Sequence, residues 1–137
     1  MKIRDKNLTI LILAGGKSER MGGEDKGLLQ INNEYIINHL SSLAKKYTSN
    51  VYINANRNID RYTNMGLTVW KDELDGYQGP LAGMYTGIIR SATEYILTFP
   101  CDGPFVSEVF FERMLIADNS FETVSYTHLT LPTRAVV

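Results

Sequence analysis

Short runs of consecutive apolar residues alternate along this chain with stretches in which apolar residues recur every three or four positions. Uninterrupted apolar runs are typical of parallel strands buried on both faces, and the longer spacing is typical of amphipathic helices. The runs lie at 8–14, 51–53, 67–70 and 95–99, and the helical stretches at 34–47, 59–65, from Pro80 onward and at 105–117. Four alternations of strand and helix predict an α/β fold, a mostly parallel sheet wrapped by helices on both sides.

The same pattern predicts which side chains the helices bury. We expect the helix that begins at Pro80 to turn an apolar face inward, made of Leu81, Met84, Tyr85, Ile88 and Ile89. We expect the last helix to bury Phe110, Met114 and Ala117. The pair Asn32-Asn33 predicts a turn after a short extended piece at 28–31, and Trp70 is expected in the core rather than as a platform for a base.

Composition narrows the class of protein. The chain has 137 residues, 44% of them apolar and 21% charged, which fits one globular domain. A net charge of -1 argues against a broad basic surface, so we expect no nucleic-acid partner and no membrane partner. The single Cys101 cannot form an internal disulfide, and no apolar run approaches the roughly 20 residues of a membrane span. These features favour a cytoplasmic protein.

A glycine-rich stretch follows the first strand and is the strongest chemical signal. Residues 15–27 hold five of the 11 glycines, together with Lys17, Arg20 and Lys26. Glycine lets backbone amides approach an anion closely, and Arg20 and Lys26 supply positive charge for phosphate oxygens. The stretch therefore indicates either a phosphate-binding loop or a solvated surface loop. It matches neither the P-loop nor Gly-x-Gly-x-x-Gly, so a dinucleotide oxidoreductase is not favoured.

Polar residues also follow the other predicted strands, at the sheet edge where α/β proteins bind ligands. They are Asn54 and Asn56, Asp72, and the pair Cys101-Asp102. Asp102 suits a magnesium ion beside phosphates, or it forms an ordinary turn before Gly103-Pro104. The asparagines suit hydrogen bonds to a base or ribose, or they simply end the strand. Gly83, inside the third helix, indicates close approach of a ligand or close packing on the sheet.

Four motifs in order resemble the molybdenum cofactor guanylyltransferase family, over about residues 8–123. They are Leu-Ala-Gly-Gly-Lys-Ser-x-Arg-Met-Gly-Gly-x-Asp-Lys-Gly-Leu-Leu at 13–29, Asn-Ala-Asn-Arg at 54–57, Asp72 with Tyr-x-Gly-Pro-Leu-Ala-Gly-Met ending at 84, and Pro-Cys-Asp-x-Pro-Phe at 100–105. The resemblance implies a Rossmann-like nucleotidyltransferase fold in three layers. It also implies an enzyme that uses GTP and Mg²⁺ to add GMP to the molybdopterin cofactor, releasing pyrophosphate.

The resemblance assigns roles to particular residues. It implies nucleotide contacts at Leu13, Ala14, Gly15, Gly16, Lys26, Asn54, Asp72 and Asp102. It implies that Asp102 is the magnesium ligand. We expect Arg20, Lys26 and Asp102 to be catalytic, because the two cations and the metal on Asp102 would neutralise charge on the phosphates. GTP and the molybdopterin cofactor are the implied partners, with molybdoenzyme maturation proteins as further candidates. A cytidylyl- or sugar-nucleotidyltransferase of the same fold and an inactive nucleotide-binding fragment remain the alternatives.

The family's domain continues beyond the part that this chain resembles. Residues 1–123 are therefore expected to be the N-terminal portion of a nucleotidyltransferase domain whose C-terminal part is missing. Residues 124–137 resemble translated sequencing-adapter sequence and are expected to be a non-native tail, although Val124, Tyr126 and His128 alternate as in a strand. A domain cut at this point is expected to have low solubility and weak catalysis, because apolar surface or a strand edge would be exposed.

Overall fold

A computed structural model describes residues 7–14, 28–73, 80–101, 108–114 and 134–136. The elements within these ranges are β1 (Leu8–Leu13), β2 (Gln30–Ile31), β3 (Glu34–Tyr35), α1 (Ile36–Ala44), β4 (Val51–Asn54), α2 (Ile59–Asn64), β5 (Val69–Trp70), α3 (Pro80–Arg90), β6 (Tyr95–Pro100), α4 (Glu108–Met114) and β7 (Arg134–Val136).

A five-stranded sheet in the order β5-β4-β1-β6-β7 forms the centre of the fold, and every neighbouring pair in it is parallel. β1 lies in the middle, with Ile12 beside Ile53 of β4 and Phe99 of β6. The prediction of an α/β fold with a mostly parallel sheet is confirmed. Its strands read as continuous apolar runs because both faces of the sheet are covered.

The two faces of the sheet bury different kinds of helix surface. On one face, Ile10 and Ile12 belong to a large cluster with apolar residues of α1 and with Phe111 of α4. The ring of Phe111 stacks on Tyr47 with 5.0 Å between centroids. On the other face, Leu11 packs in a smaller cluster with Trp70 and Ile96. Alternate residues of a strand point to opposite faces, so β1 contributes to both clusters.

Helix α3 covers the second face, and its predicted apolar face is wrong in part. Leu81, Tyr85 and Ile89 are 72%, 42% and 51% exposed, whereas Met84 is buried and Ile88 is half-buried. The side in contact with the sheet is made instead of small residues, Ala82, Gly83, Thr86 and Gly87. A Cβ added at Gly87 would lie 2.6 Å from Ile96 Cδ1 and 2.7 Å from Leu11 Cδ2. The helix lies too close to the sheet for larger side chains.

Two smaller expectations also need correction. Asn32 and Asn33 adopt positive φ of 53° and 66°, as in the tight turn of a hairpin, so the chain returns as β3 and the helix predicted from residue 34 begins at Ile36. In α4 the fully buried ring is Phe111, while Phe110 is half-buried and lies edge-on to Phe99 and Phe111. The two phenylalanines are consecutive in α4, so a small rotation of the helix about its axis decides which of them is buried.

β7 lies within residues 124–137, the segment expected to be a non-native tail, and it pairs in parallel with β6 from Tyr95 to Leu97. The assignment of this segment stays a prediction. In the part of the chain that the structure describes, every helix is too short or too polar to cross a membrane.

Candidate functional site

The ends of four parallel strands meet at one edge of the sheet. The backbone amide of Ala14, just after β1, donates to the carbonyl of Asn54 at 2.8 Å. Ala55 donates to the carbonyl of Trp70 at 3.3 Å, and Cys101 donates to the carbonyl of Leu13 at 3.0 Å. The strand ends are thereby joined into one continuous edge, where ligands of α/β proteins bind.

Asn54 is a buried polar residue at the centre of this edge, only 4% exposed. Its Nδ2 donates to Asp72 Oδ1 at 2.8 Å and to the carbonyl oxygen of Trp70 at 3.1 Å. Both amide hydrogens are therefore used within the protein, which offsets the cost of burying this side chain. The two bonds fix the amide and place it against the Asp72 carboxylate.

Asn56 holds the same carboxylate from the exposed side. Its Nδ2 donates to Asp72 Oδ2 at 2.8 Å, and its Oδ1 accepts the backbone N–H of Asp72 at 2.9 Å. Each carboxylate oxygen of Asp72 thus accepts one amide hydrogen, Oδ1 from Asn54 and Oδ2 from Asn56. An ionised carboxylate has about four acceptor positions, so positions remain for N–H or O–H groups of a ligand.

Helix α3 holds the residue that follows Asp72. The backbone N–H of Glu73 donates to Thr86 Oγ1 at 2.8 Å, and this hydroxyl donates in turn to the carbonyl of Ala82 at 3.0 Å. The Glu73 carboxylate also pairs with Arg90 at 3.6 Å, and the Arg90 guanidinium lies 5.4 Å from the centre of the Trp70 ring. Residues 72 and 73 are therefore held from β4 on one side and from α3 on the other.

Gly83 links α3 to the buried amide of Asn54. A Cβ at this position would lie 2.9 Å from Asn54 Cγ and 2.8 Å from Leu13 Cδ2, and nearer still to Asn54 Oδ1. Of the two explanations that the sequence left open for Gly83, close packing on the sheet describes these contacts. Asn54, the residue that Gly83 contacts, is nevertheless a candidate site residue, so the packing of α3 limits the space available to the Asn54 side chain.

The structure brings together four of the residues predicted from the sequence, Leu13, Ala14, Asn54 and Asp72. Gly15, Gly16, Arg20, Lys26 and Asp102 lie outside the described residues. Cys101 is buried at the end of β6, and Trp70 is a core residue whose ring stacks on Tyr52 at 4.0 Å. Within the described ranges there is no group of three or more His, Cys, Asp or Glu that could hold a metal.

Sequence reasoning missed the parts played by Thr86 and Arg90 and the reciprocal bonding of Asn56. A threonine inside a helix signals a bond to the carbonyl four residues earlier, but not a second partner from a distant loop. The sequence indicates for Asn56 only a hydrogen bond to a base or ribose, or an ordinary strand end. Its pairing with Asp72 depends on the adjacency of β4 and β5, which local patterns do not reveal.

Residues 10–128 match the family described as "MobA-like NTP transferase domain", a match that runs past residue 123. The chain is 43% identical over 117 residues to the molybdenum cofactor guanylyltransferase of Shewanella putrefaciens, covering 85% of this chain and 58% of that protein. It is 45% identical over 107 residues to the protein of the same name from Shewanella loihica, covering 78% and 55% respectively. The chain thus spans little more than half the length of these relatives.

Two solved structures are similar to the chain over most of its length. A nucleotidyl transferase from a Methanothermobacter species superposes with a TM-score of 0.61 at 18% identity, covering 80% of this chain and 56% of that one. A protein from Aquifex aeolicus VF5 superposes with a TM-score of 0.62 at 29% identity, covering 81% and 58%. At its low identity, the first similarity shows the fold alone.

Proposed function

Because this chain belongs to the MobA-like NTP transferase domain family, we propose that it forms the nucleotide-binding part of an enzyme that transfers GMP from GTP. The acceptor is the terminal phosphate of the molybdopterin cofactor, and pyrophosphate is the second product. The curated relatives that carry the name molybdenum cofactor guanylyltransferase support this choice of nucleotide and acceptor.

The observation that carries the proposal is the pairing of Asn54 with Asp72 beside the end of β1. The Asp72 carboxylate, which the buried amide of Asn54 holds in place, offers a ligand hydrogen-bond acceptors of fixed direction, which suit the N–H and O–H groups of a nucleoside. Ala14 lies at this same edge, and the glycine-rich stretch begins at Gly15, the next residue in the sequence. Nucleoside and triphosphate would thus be bound by adjacent segments of the chain.

The transfer requires no covalent bond between the protein and the nucleotide. An ionised phosphate oxygen of the acceptor attacks the α-phosphorus of GTP, the bond from that phosphorus to the bridging oxygen breaks, and pyrophosphate leaves. Lys26 and Arg20 would neutralise charge on the triphosphate, and the glycine amides would hold its oxygens, while Asp102 would hold the metal. A bound Mg²⁺ would supply further positive charge to the leaving pyrophosphate.

A titration of the 137-residue chain with GTP, CTP, UTP and ATP, with and without Mg²⁺, tests the proposal. We expect GTP to bind most tightly and its affinity to fall when EDTA removes the metal. A preference for CTP or UTP would instead favour a cytidylyl- or sugar-nucleotidyltransferase. Absence of binding to every triphosphate would contradict a nucleotide site in this chain.

Turnover is measured separately, as pyrophosphate released when molybdopterin cofactor is added to the GTP complex. Release that depends on both substrates supports guanylyl transfer by this chain. Tight GTP binding without pyrophosphate would mean that the chain is an inactive nucleotide-binding fragment, consistent with its covering 58% of the relative from Shewanella putrefaciens.

A further inference from the structure

Asp72 makes one hydrogen bond with Asn54 and two with Asn56. We propose that Asn56 is a positioning residue, which orients the Asp72 carboxylate toward the bound nucleotide without contacting the nucleotide itself. The inference deepens the proposed function and rests on it.

The geometry of the pair supports this role. Asn56 donates to the carboxylate of Asp72 at 2.8 Å and accepts from its backbone N–H at 2.9 Å, so one side chain fixes both the main chain and the carboxylate of one residue. A side-chain amide supplies the donor and the acceptor of this pairing in one plane. Asn56 itself is exposed, so filling the core does not explain its contacts.

Among the residues that contact Asp72 and Glu73, Asn56 is the one whose contacts serve only to orient Asp72. Asn54 binds the other carboxylate oxygen, but it also satisfies the carbonyl of Trp70 inside the sheet, so it serves the fold as well. Thr86 binds the backbone of Glu73 and leaves the Asp72 side chain untouched. Without Asn56, the carboxylate would retain Asn54 as its partner at Oδ1 and would lose its partner at Oδ2. It would then rotate more freely, and a ligand would have to immobilise it on binding.

A double-mutant cycle on GTP affinity tests this role in the 137-residue chain. The variants are Asn56→Ala, Asp72→Ala and the double variant, with Asn64→Ala as the matched control because Asn64 is an exposed asparagine of α2. We expect Asn56→Ala to weaken GTP binding about 3–10-fold, the size of one or two exposed hydrogen bonds, with a melting temperature close to that of the control. In the Asp72→Ala background the same change should have no further effect.

The variant Asn56→Asp tests whether the donor to the Asp72 carboxylate, rather than the contact to the backbone, is what GTP binding requires. It keeps the oxygen that accepts the Asp72 N–H but replaces the donor to Oδ2 by a second negative charge. We expect GTP binding at least as weak as in Asn56→Ala. Recovery of wild-type affinity in Asn56→Asp would show that the backbone contact alone matters, and the proposed orientation of the carboxylate would be wrong.

The outcomes separate this inference from the proposed function. If the wild-type chain binds no triphosphate, the proposed function fails and the inference fails with it. If the wild-type chain binds GTP but Asn56→Ala matches Asn64→Ala, only the inference fails. An equal loss of affinity in the presence and absence of the Asp72 carboxylate would mean that Asn56 contacts the nucleotide directly, which also overturns the positioning role.

Discussion

Replacement of Gly83 by alanine tests how the packing of α3 controls the candidate site. The new Cβ would lie 2.9 Å from Asn54 Cγ and 2.8 Å from Leu13 Cδ2, about 1 Å closer than carbon atoms normally pack. Leu13 can rotate its terminal methyl group away. Asn54 cannot move without breaking its bonds to Asp72 and to the carbonyl of Trp70.

The magnitude follows from these contacts. Overpacking of this kind costs about 1–3 kcal/mol, and the loss of two hydrogen bonds of Asn54 gives a figure of the same size. Alanine favours the helical backbone over glycine by about 1 kcal/mol, which offsets part of the cost. We therefore expect Gly83→Ala to lower the free energy of unfolding by about 1–2 kcal/mol, and to weaken GTP binding because Asn54 is displaced.

Urea unfolding followed by tryptophan emission measures the first effect, because Trp70 is the single tryptophan and only 8% of it is exposed. Gly87→Ala is the matched control, since the atoms nearest its Cβ would belong to the Ile96 and Leu11 side chains and not to Asn54. We expect the control to leave GTP affinity unchanged whatever its stability. A Gly83→Ala variant with wild-type stability and wild-type GTP affinity would refute the reasoning.

Three further predictions concern the phosphate site, the loop after β5 and alkaline stability. Lys26→Ala should weaken GTP binding by about 1.5–3 kcal/mol in a calorimetric titration, with Lys45→Ala, on the exposed end of α1, as the control. Thr86→Val should lower the free energy of unfolding by about 0.5–1.5 kcal/mol in urea, because Glu73 loses its acceptor. Burial, followed by the charge and hydrogen bond of Glu112, raises the pKa of Tyr47 above 10.0. The unfolded chain therefore ionises this residue first, so stability that is complete below pH 10 is lost as the pH rises through the folded-state pKa. Tyr47→Phe should show a smaller fall in urea midpoint between pH 8 and pH 11. Equal falls in both proteins would contradict this cause.

The extent to which the fold followed from the sequence differs between its elements. The four strands β1, β4, β5 and β6 were located correctly because a run such as residues 8–13 has no polar face, and only a strand buried on both sides suits it. The apolar face of α3 was predicted wrongly in part because periodicity reports where apolar residues recur, not how near the sheet lies. Gly83 and Gly87 bring the helix close, so the residues in contact with the sheet are small and Leu81 remains exposed.

The sequence also predicted some residues of the candidate site and not others. Sequence motifs and strand ends alone placed Asn54 and Asp72 at one edge, because the carboxyl ends of parallel strands meet there. The roles of Asn56 and Thr86 could not be inferred, since Asn56 acts on Asp72 and Thr86 acts on Glu73, each more than ten positions away along the chain.

By itself, the sequence determined the alternation of the four central strands with helices and the chemistry available at the ends of those strands, since these depend on local residue patterns. The tertiary structure alone decided which side chains share hydrogen bonds. Asp72 forms hydrogen bonds with Asn54 and Asn56, and the next residue, Glu73, forms one with Thr86. These contacts exist because β4, β5 and α3 lie side by side. Hydrogen bonds act only over about 3 Å, so distances set by packing, rather than separation along the chain, determine these partners.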